Sequence, residues 1–118
     1  MNALTDQQQV RQLVSDYSDG LHHGNVALLR RIFHPDAVLK APNLRRNLND
    51  WLALVAQRPV PSELGHDYHY RLEWLEVLNE QALAKVYCPL LGRDYTDFLG
   101  CLKENGEWKI VNKMYADN

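Results

Sequence analysis

"RDYTDFLGCLKENGEWKIVNKMY", residues 93–115, sets the topology of this chain. Apolar and polar side chains alternate on either side of Asn105–Gly106. An Asn-Gly step between two such runs is the strongest short hairpin signal, because a type I′ turn needs two positive φ angles. With those two residues as the turn, Cys101 faces Ile110, Leu99 faces Asn112 and Asp97 faces Met114. A second turn read at Gly92–Arg93 sets Cys88 beside Asp97 and Val86 beside Leu99.

Successive strand side chains point to opposite faces, so these pairings sort the residues into two sets. One set holds Val86, Cys88, Asp97, Leu99, Cys101, Ile110, Asn112 and Met114; it is mostly apolar and is assigned to the interior. The other holds Lys85, Tyr87, Phe98, Lys109, Val111, Lys113 and Tyr115. That second face is too apolar to sit easily in water, which makes Tyr87, Phe98, Lys113 and Tyr115 candidates for a dimer interface. A single bulge would exchange the two sets beyond it.

Upstream, "DYHYRLEWLEVL" and "QALAKVYCPLL" add two strands to give a four-stranded antiparallel meander; "EWLEV" fits either face. The amino-terminal half has helical spacing instead. Val10, Leu13, Val14, Tyr17 and Leu21 line one face of a helix opened by Thr5 as N-cap. "HHGN" ends it, and Asn25 caps a second helix whose buried side is Val26, Leu29, Ile32 and Phe33 and which stops before Pro35. "DAVLKAP" is a short strand. The polar run "NLRRNLN" leads to a third helix over "DWLALVAQ", capped by Asn49 or Asp50 and halted by the prolines of "RPVPS". Helices first and a meander after give an α+β fold, with three N-terminal helices packed on one face of an antiparallel sheet. No repeat or linker divides the chain, so residues 1–118 are expected to form one domain.

The bulk numbers exclude several functions. The chain has 118 residues and a formal net charge of −2, and its arginine doublets at 30–31 and 45–46 form no basic stripe, so nucleic acid is not an expected partner. No run approaches the roughly 18 apolar residues of a membrane helix, and "MNALTDQQQV" has neither the basic start nor the apolar stretch of a secretory signal. A cytoplasmic protein without membrane contact is the expectation. Cys88 and Cys101 fall about four residues out of register, on the order of 13 Å apart along the strands. That exceeds the roughly 7 Å a disulfide allows, so both read as reduced.

The combination of "FHPDA" (33–37), "YTDFL" (95–99) and "NGEWKIVNKMY" (105–115), set in this order of elements, resembles the nuclear-transport-factor-2-like superfamily over nearly the whole chain. This is the cystatin-like cone shared with ketosteroid isomerase and the SnoaL-like proteins. Within it, the chain is most similar to the subfamily labelled "putative lumazine-binding". The resemblance implies a cavity between the helices and a curved, concave sheet, a homodimer formed through the sheet, and a small apolar or heteroaromatic ligand. It does not imply one chemistry, because this cone hosts isomerases, cyclases, dehydratases and binders. On the ketosteroid isomerase pattern the oxyanion-stabilising tyrosine matches Tyr17. The general base matches Ala41, which cannot accept a proton, and the second oxyanion acid falls near Asp97 without clear register.

Individual residues can then be weighed. A carboxylate at Asp97 on an inward face must meet solvent, hold its proton or find a partner such as Tyr17 or Asn112. His34 and Asp36 read chiefly as a corner of the fold, with His34 near enough to the expected cavity to contribute a side chain. Trp51 is core or pocket wall. The histidines at 22, 23, 66 and 69 place no three ligands about one point, so neither a metal nor another cofactor is expected. These residues define an expected small-molecule-binding protein with Tyr17, His34, Trp51, Asp97 and Asn112 around its cavity. The alternative is a proton-transfer enzyme using Asp97 or His34 with Tyr17.

Overall fold

The computed structural model describes residues 4–118. Helix α1 (Asp6–His23) opens with Thr5 and Gln8 in a reciprocal capping box, which satisfies two otherwise orphaned backbone donors. It closes at Gly24, whose left-handed φ of 58° lets its N–H and that of Asn25 return to the carbonyl of Gly20. Asn25 caps α2 (Val26–Ile32) by accepting the Leu28 N–H. The two helices meet closely at Gly20, where a Cβ would lie 2.6 Å from the Leu29 side chain.

Strand β1 (Phe33–Ala41) turns through Pro42–Asn43 into a short edge strand, β2 (Leu44–Asn47). Pro42 suits the first turn position, and Asn43 adopts the positive φ of 64° that the second requires. The polar run expected to be a connector is therefore part of the sheet. Helix α3 (Leu48–Gln57) follows with Asn47 as its N-cap, earlier than the Asn49 or Asp50 expected, because Asn47 Oδ1 takes the Asp50 N–H at 2.8 Å. Only two helices thus precede the sheet; the third is inserted after its first two strands.

Strands β3 (Arg71–Leu78), β4 (Gln81–Leu90), β5 (Arg93–Glu104) and β6 (Glu107–Asp117) form the meander. The six strands run in the order β2-β1-β6-β5-β4-β3, with β1 parallel to β6 and every other pair antiparallel. The β4–β5 turn is Leu91–Gly92, both at positive φ, one residue earlier than the sequence suggested. Cys88 consequently lies opposite Tyr95, and Asp97 opposite Val86. A two-residue displacement of partners leaves every side chain on its expected face. Cys88 and Cys101 are buried, free thiols.

The β5–β6 hairpin departs from expectation in a way that matters more. Pairing runs as expected from Glu104–Glu107 to Cys101–Ile110, and then Gly100 pairs with Asn112. Val111 is the extra residue of a β-bulge, sited where Gly100 has no side chain and an added Cβ would stand 3.4 Å from the Asn112 Cβ. Beyond the bulge the two faces exchange. Lys113 and Tyr115 turn toward the helices, opposite Leu99 and Asp97, while Asn112 and Met114 turn outward. The expected inward Asn112 and Met114, and outward Lys113 and Tyr115, are therefore corrected. A second irregularity at Glu73 puts Trp74 on the outer face, opposite Lys85.

With this register, the inner face reads as rows across the sheet. Phe33, Ile110, Cys101 and Ala82 make one apolar row; Arg46, Leu39, Lys113, Leu99 and Ala84 make the next. Tyr115, Asp97 and Val86 make the third. The first row and the helix residues Val10, Leu13, Leu21, Leu29 and Leu52 fill the core. The first row is wholly apolar, and polar groups enter from the second row onward, beneath α1 and α3. At the opposite end Asp6 takes hydrogen bonds from Lys103 Nζ and Trp108 Nε1, fastening the start of α1 to the β5–β6 hairpin.

Candidate functional site

Tyr17 projects from the apolar face of α1 and is fully buried, yet its hydroxyl donates to Asp97 Oδ2 at 2.6 Å. Asp97 is itself only 2% exposed. Lys113 Nζ lies 4.0 Å from the same oxygen. It also stands 4.6 Å above the Trp51 ring, 5.2 Å from that of Tyr17 and 5.7 Å from that of Tyr115. An ammonium desolvated this far is held by the carboxylate and by the negative faces of three rings, worth about 2 kcal/mol for a good cation–π contact.

Burial dominates the protonation of these groups. It raises the Tyr17 phenol well above its ordinary value, reinforced by the Asp97 charge and hydrogen bond. It pushes the Cys88 thiol up as well, so this cysteine is an inert proton-bearing group and no nucleophile. Lys113 is drawn below the usual lysine value by desolvation, with Asp97 opposing and Arg58 and Arg46 adding like-charge repulsion.

Above this cluster opens a cavity of about 290 Å³ between α3 and the inner sheet face. Trp51, Leu54 and Arg58 reach it from α3 and the residue that ends it, at spacings that put them on one helical face. Asp97, Lys113, Tyr95 and Tyr115 line it from the sheet, with Arg46 from β2 and Leu90, Leu91 and Arg93 at the β4–β5 turn. Its size suits one small ring system, near the lower end of known ligand sites.

The structure brings together Tyr17, Trp51 and Asp97 of the expected site and adds two residues expected at a dimer interface, Lys113 and Tyr115. His34 does not line the cavity: its Nδ1 stands 2.5 Å from the Asp36 carboxylate and 3.2 Å from the Asp36 backbone nitrogen, closing the corner within β1. Asn112 is turned away by the bulge. Arg46, Leu54 and Arg58 escaped the sequence reading. Arg58 was detectable, lying seven residues after Trp51, whereas Arg46 required knowing that residues 44–47 form a strand. Ala41 lines a different, apolar recess with Phe98 and Met114.

A second polar cluster lies at the end of α1. His22 is buried, with its Nδ1 2.9 Å from the Tyr70 hydroxyl and its ring edge-on to Tyr68 and Tyr70. Tyr68 donates to Asp19 at 2.7 Å. Among the described residues, no group of three or more His, Cys, Asp or Glu side chains is placed to hold a metal ion, and no helix is long and apolar enough to cross a membrane.

The family model described as "Putative lumazine-binding" matches residues 5–116. The chain belongs to this family. It also has the nuclear-transport-factor-2-like fold. It is similar to a protein of that fold from Shewanella baltica OS155, at 19% identity and a TM-score of 0.82 over 99% of this chain and 98% of that one. A second such protein, from Silicibacter pomeroyi DSS-3, gives 22% identity and a TM-score of 0.77 over 98% and 100% of the two chains. A third, from Methylobacillus flagellatus KT, gives 18% and 0.77 over 99% and 95%. All three are described as of unknown function, so the likeness concerns fold. No curated protein matches the chain.

Proposed function

We propose that this protein binds a small, flat, largely apolar or heteroaromatic molecule in the cavity beside Trp51 and does not transform it. One observation carries the reading: Lys113 is buried on the cavity floor, 4.6 Å over the Trp51 ring and 4.0 Å from Asp97. A floor of that kind presents an aromatic wall and a charged hydrogen-bond donor to the same ligand, the pairing that orients a ring bearing a carbonyl oxygen. Lumazine, the molecule in the family's description, has that chemistry.

The proton-transfer reading has one supporting observation, the Asp97 carboxylate lining the cavity. It is disfavoured by the commitment of Tyr17, whose only proton is already donated to Asp97 and whose ring is fully buried. A donor so engaged cannot polarise a substrate carbonyl without breaking that bond.

The proposal includes a homodimer formed through the outer sheet face. There Trp74, Lys85, Phe98, Met114 and Lys40 form a continuous row, with Tyr87 beside it and Trp74 nearly half exposed. In this proposal Phe98 and Tyr87 are retained as interface residues on the outer face, and Met114 and Trp74 take the places of Lys113 and Tyr115, which face inward.

Tryptophan fluorescence tests the ligand reading. Of the three tryptophans, only Trp51 lines the cavity. Lumazine titrated into the protein should quench emission saturably, and Trp51→Phe should remove that quenching. Equal quenching in the variant would place the ligand elsewhere and end the proposal.

A further inference from the structure

The cavity carries more positive charge than the binding of a neutral ring requires. Four cations line it, Arg46, Arg58, Arg93 and Lys113, against a single carboxylate, Asp97. Two of the four are accounted for. Arg93 is clamped on Asp117 by contacts of 2.8 and 2.9 Å from one guanidinium nitrogen, and Lys113 has Asp97. Arg46 and Arg58 have no carboxylate among the described residues.

Arg58 is the decisive residue. Its Nη2 is buried and makes no hydrogen bond, the only such side-chain atom among the described residues. Buried donors are nearly always paired, and an unpaired one on a permanent cation is costly, so its retention calls for a partner that arrives from outside. It lines the cavity on the same side as Trp51 and Leu54, across from Asp97 and Lys113 on the sheet. Arg46 shares the inward row with Leu39 and Lys113 on the adjoining strands. Both arginines also act on Lys113, so three cations converge on one small space with a single anion between them.

We infer that the ligand is an aromatic anion, its ring against Trp51 and its negative oxygens received by Arg58 and Arg46. This rests on the reading of the cavity as a site for a flat small molecule and adds to it the charge. A guanidinium fork matches a carboxylate or phosphate edge, and within a low-dielectric cleft such a pair is strong and selective.

Calorimetric titration with three probes of the same ring tests it: 2-naphthoate, its uncharged amide and 2-naphthyl phosphate. The naphthoate should bind at least tenfold more tightly than the amide, and Arg58→Gln should narrow that ratio to within twofold. Tighter binding of the phosphate than of the naphthoate would assign the anion to the phosphoester class, and the reverse order to the carboxylates. Equal affinity for naphthoate and amide in the unaltered protein overturns the anion while leaving the flat-ring cavity standing. Failure of all three to bind overturns the cavity reading and the anion with it. A measurement without ligand gives an independent check. Removing an unpaired buried cation should raise the thermal midpoint of Arg58→Gln above that of the unaltered protein, and a lower midpoint would mean that the guanidinium already has its partner.

Discussion

Tyr17 and Asp97, 80 residues apart in the chain, share a 2.6 Å hydrogen bond beneath the cavity floor. It ties the first helix to the centre of the sheet and fixes the carboxylate that Lys113 faces. Tyr17→Phe keeps the ring and removes only the hydroxyl, so it should cost about 1–3 kcal/mol in urea unfolding while the lysine–carboxylate pair survives.

Asp97→Ala should be harsher. It leaves Lys113 buried with no anion, a loss of about 3–5 kcal/mol when one partner of a buried pair is removed. Lys113→Met in the Asp97→Ala background should return much of that loss, because the ammonium no longer needs compensation. A double-mutant cycle reads the coupling directly, and additive costs would show that the two side chains do not interact.

His22 gives a pH dependence of definite sign. Burial, with repulsion from His23 and His66, lowers its proton affinity in the folded state below the ordinary value of 6.5. The unfolded chain then binds the proton more tightly, so this group's contribution to stability is present above pH 6.5 and is lost as pH falls through 6.5 toward the lower folded value. Thermal midpoints between pH 5 and 8 should decline toward acid, and His22→Phe should flatten that slope whatever it does to the midpoint itself. An unchanged slope would assign the acid sensitivity to other groups.

The bulge at Val111 can be tested by cross-linking. Phe98 and Met114 lie opposite each other on the outer face. Cysteines at both positions should therefore oxidise to a disulfide within one chain. In an unbulged hairpin their side chains would project from opposite faces of the sheet, and no bond would form.

Phe98→Asp should convert the proposed dimer to monomer in sedimentation equilibrium, because it replaces the aromatic ring at the centre of the outer-face row, between Lys85 and Met114, with a short carboxylate. Tyr115→Asp, which alters the inner face, should leave the assembly state unchanged. A dimer persisting with Asp at position 98 would refute assembly through this face.

Most of the architecture was legible because it rests on local chemistry. The caps at Thr5 and Asn25, the stop at Gly24, the helix face through Tyr17 and the Asn105–Gly106 turn are each fixed by neighbouring residues. What could not be read depends on contacts distant in sequence or on one extra residue. The short strand at residues 44–47 exists because β1 offers it an edge, and propensity alone gives "LRRN" no reason to extend. Within the site, Tyr17, Trp51 and Asp97 were visible as polar or aromatic residues on apolar faces. Lys113 was assigned to the wrong face because Val111 interrupts the alternation on which the assignment depended. That interruption brings the lysine under Trp51 and so creates the floor of the cavity.

Native mass spectrometry of the purified protein under gentle ionisation, beside Lys113→Met and Trp51→Ala, tests the central claim of a ligand-holding cavity most directly. The expected result is a single non-covalent adduct with the mass of a small ring compound after incubation with lumazine or 2-naphthoate. It should be strong on the unaltered chain and at least tenfold weaker on both variants. Adducts of equal strength on all three chains, or none on any, would contradict it.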